Sequence, residues 1–68
     1  MIKQGTRFYI NSDRYRNAYY QWKKEEGNKD KDSNAFDKEI GIGAWKPNTS
    51  VLVKNEKLLL LAILKYNI

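Results

Sequence analysis

With 68 residues, no cysteine and no histidine, the chain has room for one domain and lacks both disulfides and the usual zinc ligands, the common staples of small folds. The same absences remove the commonest general base and the strongest nucleophile, so the composition points away from an enzyme, and no motif calls for a metal or cofactor. The formal charge of +5, from 13 bases and 8 acids, favours phosphate-bearing or otherwise acidic partners.

That charge is unevenly spread: residues 1–24 sum to +5, residues 25–40 to −3 and residues 41–68 to +3. The N-terminal residues lack the apolar core and small-residue cleavage site of an export signal, so an intracellular, cytoplasmic protein is expected. The expected class is α+β, a small single domain over residues 1–68.

Residues 4–11 alternate with a period of two, placing Phe8 and Ile10 on one face and Arg7 and Tyr9 on the other, which predicts an N-terminal strand with Phe8 and Ile10 inward. Asn11, Ser12 and Asp13 then offer helix-capping side chains. Tyr15, Ala18, Tyr19 and Trp22 follow at i, i+3, i+4 and i+7, so an amphipathic helix over residues 12–26 is expected to bury that stripe. Gly27 suits a left-handed residue after the helix, and the polar run over residues 27–34 reads as a loop too polar to bury.

Ser33 or Asn34 is placed to cap a short helix over residues 34–40 that buries Phe36 and Ile40. Gly41, Gly43 and Pro47 forbid long regular structure through the next segment, where Trp45 is the one large side chain and is expected to dock on the core. The lone Gly-x-Gly lacks the strand, third glycine and helix of a phosphate loop. Residues 34–41 are similar to the first half of a helix-turn-helix, but Asp37 stands where that motif packs a small residue and Pro47 falls inside the would-be recognition helix. No family is assigned on this basis; a winged variant would use residues 50–64 as its wing.

Val51-Leu52-Val53, then Lys54 to Lys57, then the apolar run over residues 58–64 reads as a C-terminal β-hairpin turning at Asn55-Glu56. The alternative is a strand followed by a C-terminal helix, which the four consecutive leucines and Ala62 favour. Either way the run is expected to be buried on more than one side. It is far shorter than the roughly 20 residues that span a bilayer, and its excess apolarity suits a homodimer.

Six of the nine aromatic residues lie between Arg7 and Lys24 with five bases and a single acid, a mixture that can neutralise phosphates and stack on bases. Most of those rings fall on the buried stripe of the helix. Outside it, Tyr20 shares the solvent-facing side with Arg16, Lys23 and Lys24. Arg14 and Arg16 stand near the helix start, where the dipole disfavours cations, and local rules are broken most often at functional sites.

The candidate binding residues are therefore Arg7, Tyr9, Arg14, Arg16, Tyr20, Lys23 and Lys24. The expected function is that of a non-enzymatic nucleic-acid-binding accessory or regulatory protein that contacts phosphates through a helix face. The alternative is an inhibitor or adaptor that binds a host protein, of the kind carried by phages and mobile elements, with its tyrosines and arginines as the hot spot.

Overall fold

The fold is that of a computed structural model describing residues 2–68, and its chain order is strand, helix, helix, strand, helix. The first strand, β1 (Arg7–Tyr9), is shorter than the alternation suggests because a turn occupies the residues before it, with Gly5 at φ +86° and the Thr6 hydroxyl donating to Lys3 O at 2.5 Å. Arg7 and Tyr9 point to solvent and Phe8 packs partly against the core, as the period of two requires; Ile10, just past the strand, is buried.

β1 pairs antiparallel with β2 (Ser50–Leu52), with Phe8 opposite Val51. Beyond β2, Val53 hydrogen-bonds with Thr6 and Gly5 and bridges Ile42 on its other side, so Val51 and Val53 are carried into the core from the centre of a small antiparallel layer.

Helix α1 (Ser12–Lys24) starts where its cap chemistry places it: Asn11 Oδ1 accepts from the N–H groups of Asp13 (2.9 Å) and Arg14 (3.3 Å), satisfying two of the helix's orphan donors. Tyr15, Ala18 and Trp22 are buried and Tyr19 packs partly against them, which is the expected stripe.

The helix ends at Lys24, two residues early, and the expected polar loop follows as far as Asp32, with Ser33 and Asn34 already in the next helix. Asn28 is buried and donates from Nδ2 to Trp22 O at 3.0 Å, while Lys23 Nζ donates to Lys29 O and Lys31 O at 2.7 and 2.5 Å. Orphan carbonyls at a helix end and in the turn beyond it need donors, and Asn28 and Lys23 supply them, while Gly27 and residues 29–34 stay exposed, as their polarity predicts.

Helix α2 (Ser33–Glu39) is capped by Asp32, one residue upstream of the expected cap, through Ala35 N–H at 3.1 Å. It buries Phe36 completely, at the hub of four rings: Tyr15, Tyr19, Trp22 and Tyr66 lie with centroids 5.2 to 6.1 Å away. Residues 43–49 form no helix, so there is no recognition helix after α2.

The C-terminal hairpin is not formed. Residues 56–66 are helix α3 (Glu56–Tyr66), which also removes the wing of a winged motif. The would-be hairpin turn is a helix cap: Asn55 Oδ1 accepts from Lys57 N–H (3.1 Å) and Leu58 N–H (3.2 Å), Glu56 sits in the first turn and Asn67 closes the far end in the left-handed conformation. Leucine and alanine favour helix, and the cap lets that preference decide.

The apolar run is also not buried on several sides. Leu59 and Ala62 are inside with Tyr66, and Ile63 packs at the edge, but Leu58, Leu60, Leu61 and Leu64 are 37–83% exposed. α1 packs against both α2 and α3, and Glu25 ties its end to α3 by accepting from Lys65 (3.1 Å) and from the Tyr66 hydroxyl. Among the described residues, no helix is long and apolar enough to cross a membrane.

Candidate nucleic-acid interface

The candidate residues separate into groups. Arg16, Tyr20 and Lys24 stand at i, i+4 and i+8 on α1, a ridge of about 12 Å on its outer side. All three are exposed, Tyr20 by 55%. Arg14 is two residues from Arg16 and so projects about 200° round the axis, on the opposite flank, where the two arginines do not share a ligand.

Lys23 lies beside the ridge but its ammonium is held on the carbonyls of residues 29 and 31, 5.9 Å from the Tyr19 ring centroid; its role is to fasten the turn after α1. Arg7 and Tyr9 stand on the outer face of β1. The Arg7 guanidinium reaches across the strand pair to Ser50, donating to its Oγ at 2.9 Å and its carbonyl at 2.5 Å.

Arg16 and Tyr20 alone of the seven border a groove of about 370 Å³, whose other walls are Ser12, Tyr15 and Tyr19 of α1, Ser33 of α2, and Trp45 and Pro47 of the following loop. Four rings and one cation therefore line it. The size falls at the small end of sites that take a small organic molecule.

The wall opposite α1 is built by Asp37. Trp45 stacks on Tyr15 with centroids 4.1 Å apart and planes 6° from parallel, and its indole N–H donates to Ile10 O at 3.3 Å. Behind the stack the Asp37 carboxylate is almost wholly buried; Oδ1 accepts from the Tyr15 hydroxyl at 2.5 Å and Oδ2 from the Trp45 backbone N–H at 3.1 Å.

Burial pushes the Asp37 carboxyl above the usual range, against the pull of these two hydrogen bonds. It also pushes the Tyr15 phenol up, with the Asp37 hydrogen bond and charge adding to the effect, so Tyr15 is a neutral donor at all ordinary pH. The groove can stack a planar ligand, hydrogen-bond it and hold an anion at Arg16.

Tyr15, Tyr19, Trp45 and Asp37 are absent from the sequence-derived site. The signal for Trp45 is present, one large ring in a glycine- and proline-broken segment, and its docking on the core is as expected. Nothing local says that it meets Tyr15 and not another ring, because Asp37 sets that pairing across 22 and 8 residues of sequence.

No family model matches this chain, and no curated protein or solved structure is significantly similar to it.

Proposed function

We propose that this chain is a small, non-enzymatic nucleic-acid-binding protein of accessory or regulatory type, acting in the cytoplasm. The observation that carries the reading is the convergence of Arg16 and Tyr20 on the edge of an aromatic groove, with Lys24 continuing the ridge. Cations there neutralise phosphates and rings give sequence-tolerant contact.

The charges are available for this role. Among the described residues the one ion pair is Lys65–Glu25, on the far side of α1's end, so Arg16 and Lys24 keep their charge unneutralised by any carboxylate. About two or three phosphates contacted through Arg16, Lys24 and a flanking base would give a plot of log K against log salt with a slope of roughly −2 to −3. Gel-shift titration over a salt series measures this slope. Undetectable binding to both duplex and single strands at about 50 mM salt would end the proposal.

A second reading is favoured by a different observation. The outer face of α3 exposes Leu58, Leu60, Leu61 and Leu64, and monomeric proteins seldom leave so continuous an apolar strip uncovered. That strip suits a protein partner: a second copy of this chain, or a host protein bound by an inhibitor or adaptor. Capture of one defined protein from nuclease-treated lysate supports the host-protein form, and recovery of nucleic acid alone speaks against it.

A further inference from the structure

We propose that the groove between α1 and the Trp45 loop seats one unpaired base, stacked among Tyr19, Tyr20 and Trp45 with its phosphate on Arg16, so that the ligand is single-stranded nucleic acid. This rests on the nucleic-acid reading above and adds the strand type and the seat.

In a duplex the faces of the bases are already stacked on their neighbours and only edges and phosphates are offered to a protein. A groove walled by rings therefore does nothing for a duplex that a plain cationic ridge would not do. For an unpaired base the ring faces that Tyr15 and the core leave open are stacking surfaces, and every base has a π face to offer. Tyr20 is more than half exposed and has no hydrogen-bond partner among the described residues, which leaves its ring face to the groove and its hydroxyl to solvent.

The Trp45 wall is rigid beyond what its own burial requires. The segment around it has no regular structure, yet the residue is fixed at three points: the Tyr15 stack, the Ile10 carbonyl and the buried Asp37 carboxylate. A buried carboxylate is a costly anchor for a ring that remains only half-buried. Holding the wall in place before the ligand arrives removes the ordering cost from binding.

The single charge lining the groove selects the ligand class. Arg16 opposes the quaternary ammonium groups that aromatic cages take and attracts phosphate. Lys24, one turn beyond Tyr20, extends the positive ridge along which the rest of the strand runs. Extended proline-rich segments also dock in aromatic grooves, but they bring no anion for Arg16.

The test uses the full chain and end-labelled oligonucleotides of about ten residues: oligothymidylate, an abasic strand with the same phosphates, and a duplex. Anisotropy titrations at about 50 mM salt should show the abasic strand bound roughly tenfold or more weakly than oligothymidylate, with the duplex also weaker. Tyr20→Ala, at an exposed position, should remove most of the difference between the two single strands and leave the abasic strand's affinity unchanged; Tyr20→Leu, which keeps apolar area without a π face, should behave alike. Arg16→Ala should weaken both strands.

Equal affinity for thymidylate and abasic strands would overturn the base seat and leave the nucleic-acid reading standing on phosphates alone. Failure of all three ligands to bind would overturn both together. A proline-rich peptide that quenches tryptophan emission where oligothymidylate does not would reassign the groove to a polypeptide.

Discussion

At the scale of single residues, Asp37 connects the core to the groove. Deleting its carboxylate leaves a buried phenol O–H and a partly buried backbone N–H without acceptors, and a fully buried group so orphaned costs on the order of 1–3 kcal/mol. Asp37→Ala should lower stability by about that much and loosen the Trp45 wall. In Asp37→Asn the new side-chain carbonyl would accept from Trp45 N–H and the new amide would donate to the Tyr15 oxygen, so this variant should stay within about 1 kcal/mol of wild type at neutral pH.

The pH dependence separates these roles. Asp37 has its folded carboxyl raised above 3.8, so the folded state holds that proton more tightly, and the associated stability is present in acid and lost as pH rises through the folded value. Glu25 has the opposite sign. The Tyr66 hydrogen bond, followed by Lys65, lowers its carboxyl below 4.5, so its contribution is present above that value and lost as pH falls through the folded one.

Urea unfolding between about pH 3 and pH 6 should therefore show a steeper acid loss in Asp37→Asn than in wild type, and a shallower or inverted one in Glu25→Gln. Identical pH profiles for all three proteins would refute the opposed signs.

Residue 37 also marks where sequence reading stops at this scale. Tyr20 is placed correctly on the outside of α1 from helical spacing alone, because the period of 3.6 fixes it relative to Tyr15 and Trp22. Asp37 is invisible to the same reasoning. A charged residue on a short helix is expected outside, and only the tertiary approach of Tyr15 and Trp45 makes a buried carboxylate tolerable.

At the scale of elements, Asn55 decides what the C-terminal third becomes. The same residue serves a hairpin turn or a helix cap, and a seven-residue apolar run satisfies either. Two contacts tip the balance. Asn55 Oδ1 satisfies two α3 amides, and the backbone N–H groups of Lys54 and Asn55 donate to Gly41 O at 2.8 and 3.0 Å, fixing the start of α3 against the end of α2.

Gly41 takes part because at φ +75° a Cβ would lie 2.5 Å from Asn55 O. That contact joins residues 14 apart and leaves no periodic signal, so the sequence by itself favours the hairpin there, while α1, with its cap and stripe in one continuous segment, is legible directly. Asn55→Ala should cost about 1 kcal/mol, and Asn55→Asp, which keeps the acceptor at the positive end of the helix, should restore it. Thermal unfolding by circular dichroism measures both; an unchanged midpoint for alanine would show that the cap contributes nothing.

At the scale of the whole molecule, the second reading proposed above turns on the uncovered face of α3. A domain of this size buries only about 60% of its unfolded surface, and here the deficit is concentrated on one helix face. The local charge disfavours a polyanion there, and the dimer is the form of that proposal tested below. Beside the leucines, a shallow groove of about 250 Å³ is bordered by Glu25, Glu39 and Lys65, an acidic excess on a chain whose total is +5.

A two-fold pairing of the α3 faces would bury Leu61 and Leu64 of each copy against the other. Such a dimer predicts a salt response opposite in sign to nucleic-acid binding. Screening the repulsion between two +5 chains while leaving apolar burial intact should tighten self-association as salt rises, whereas phosphate contacts weaken.

Sedimentation velocity from roughly 1 µM to 1 mM, a range of about 4 to 8 kcal/mol in association free energy, should show a monomer–dimer equilibrium that moves toward dimer between about 50 and 500 mM salt. Leu61→Lys or Leu64→Lys, at positions 62% and 83% exposed in the single chain, should leave the helix signal and the oligonucleotide affinity intact and abolish the dimer. A monomer throughout that range would assign the leucine face to a different protein, and loss of oligonucleotide binding in the same variants would show that the two surfaces act as one.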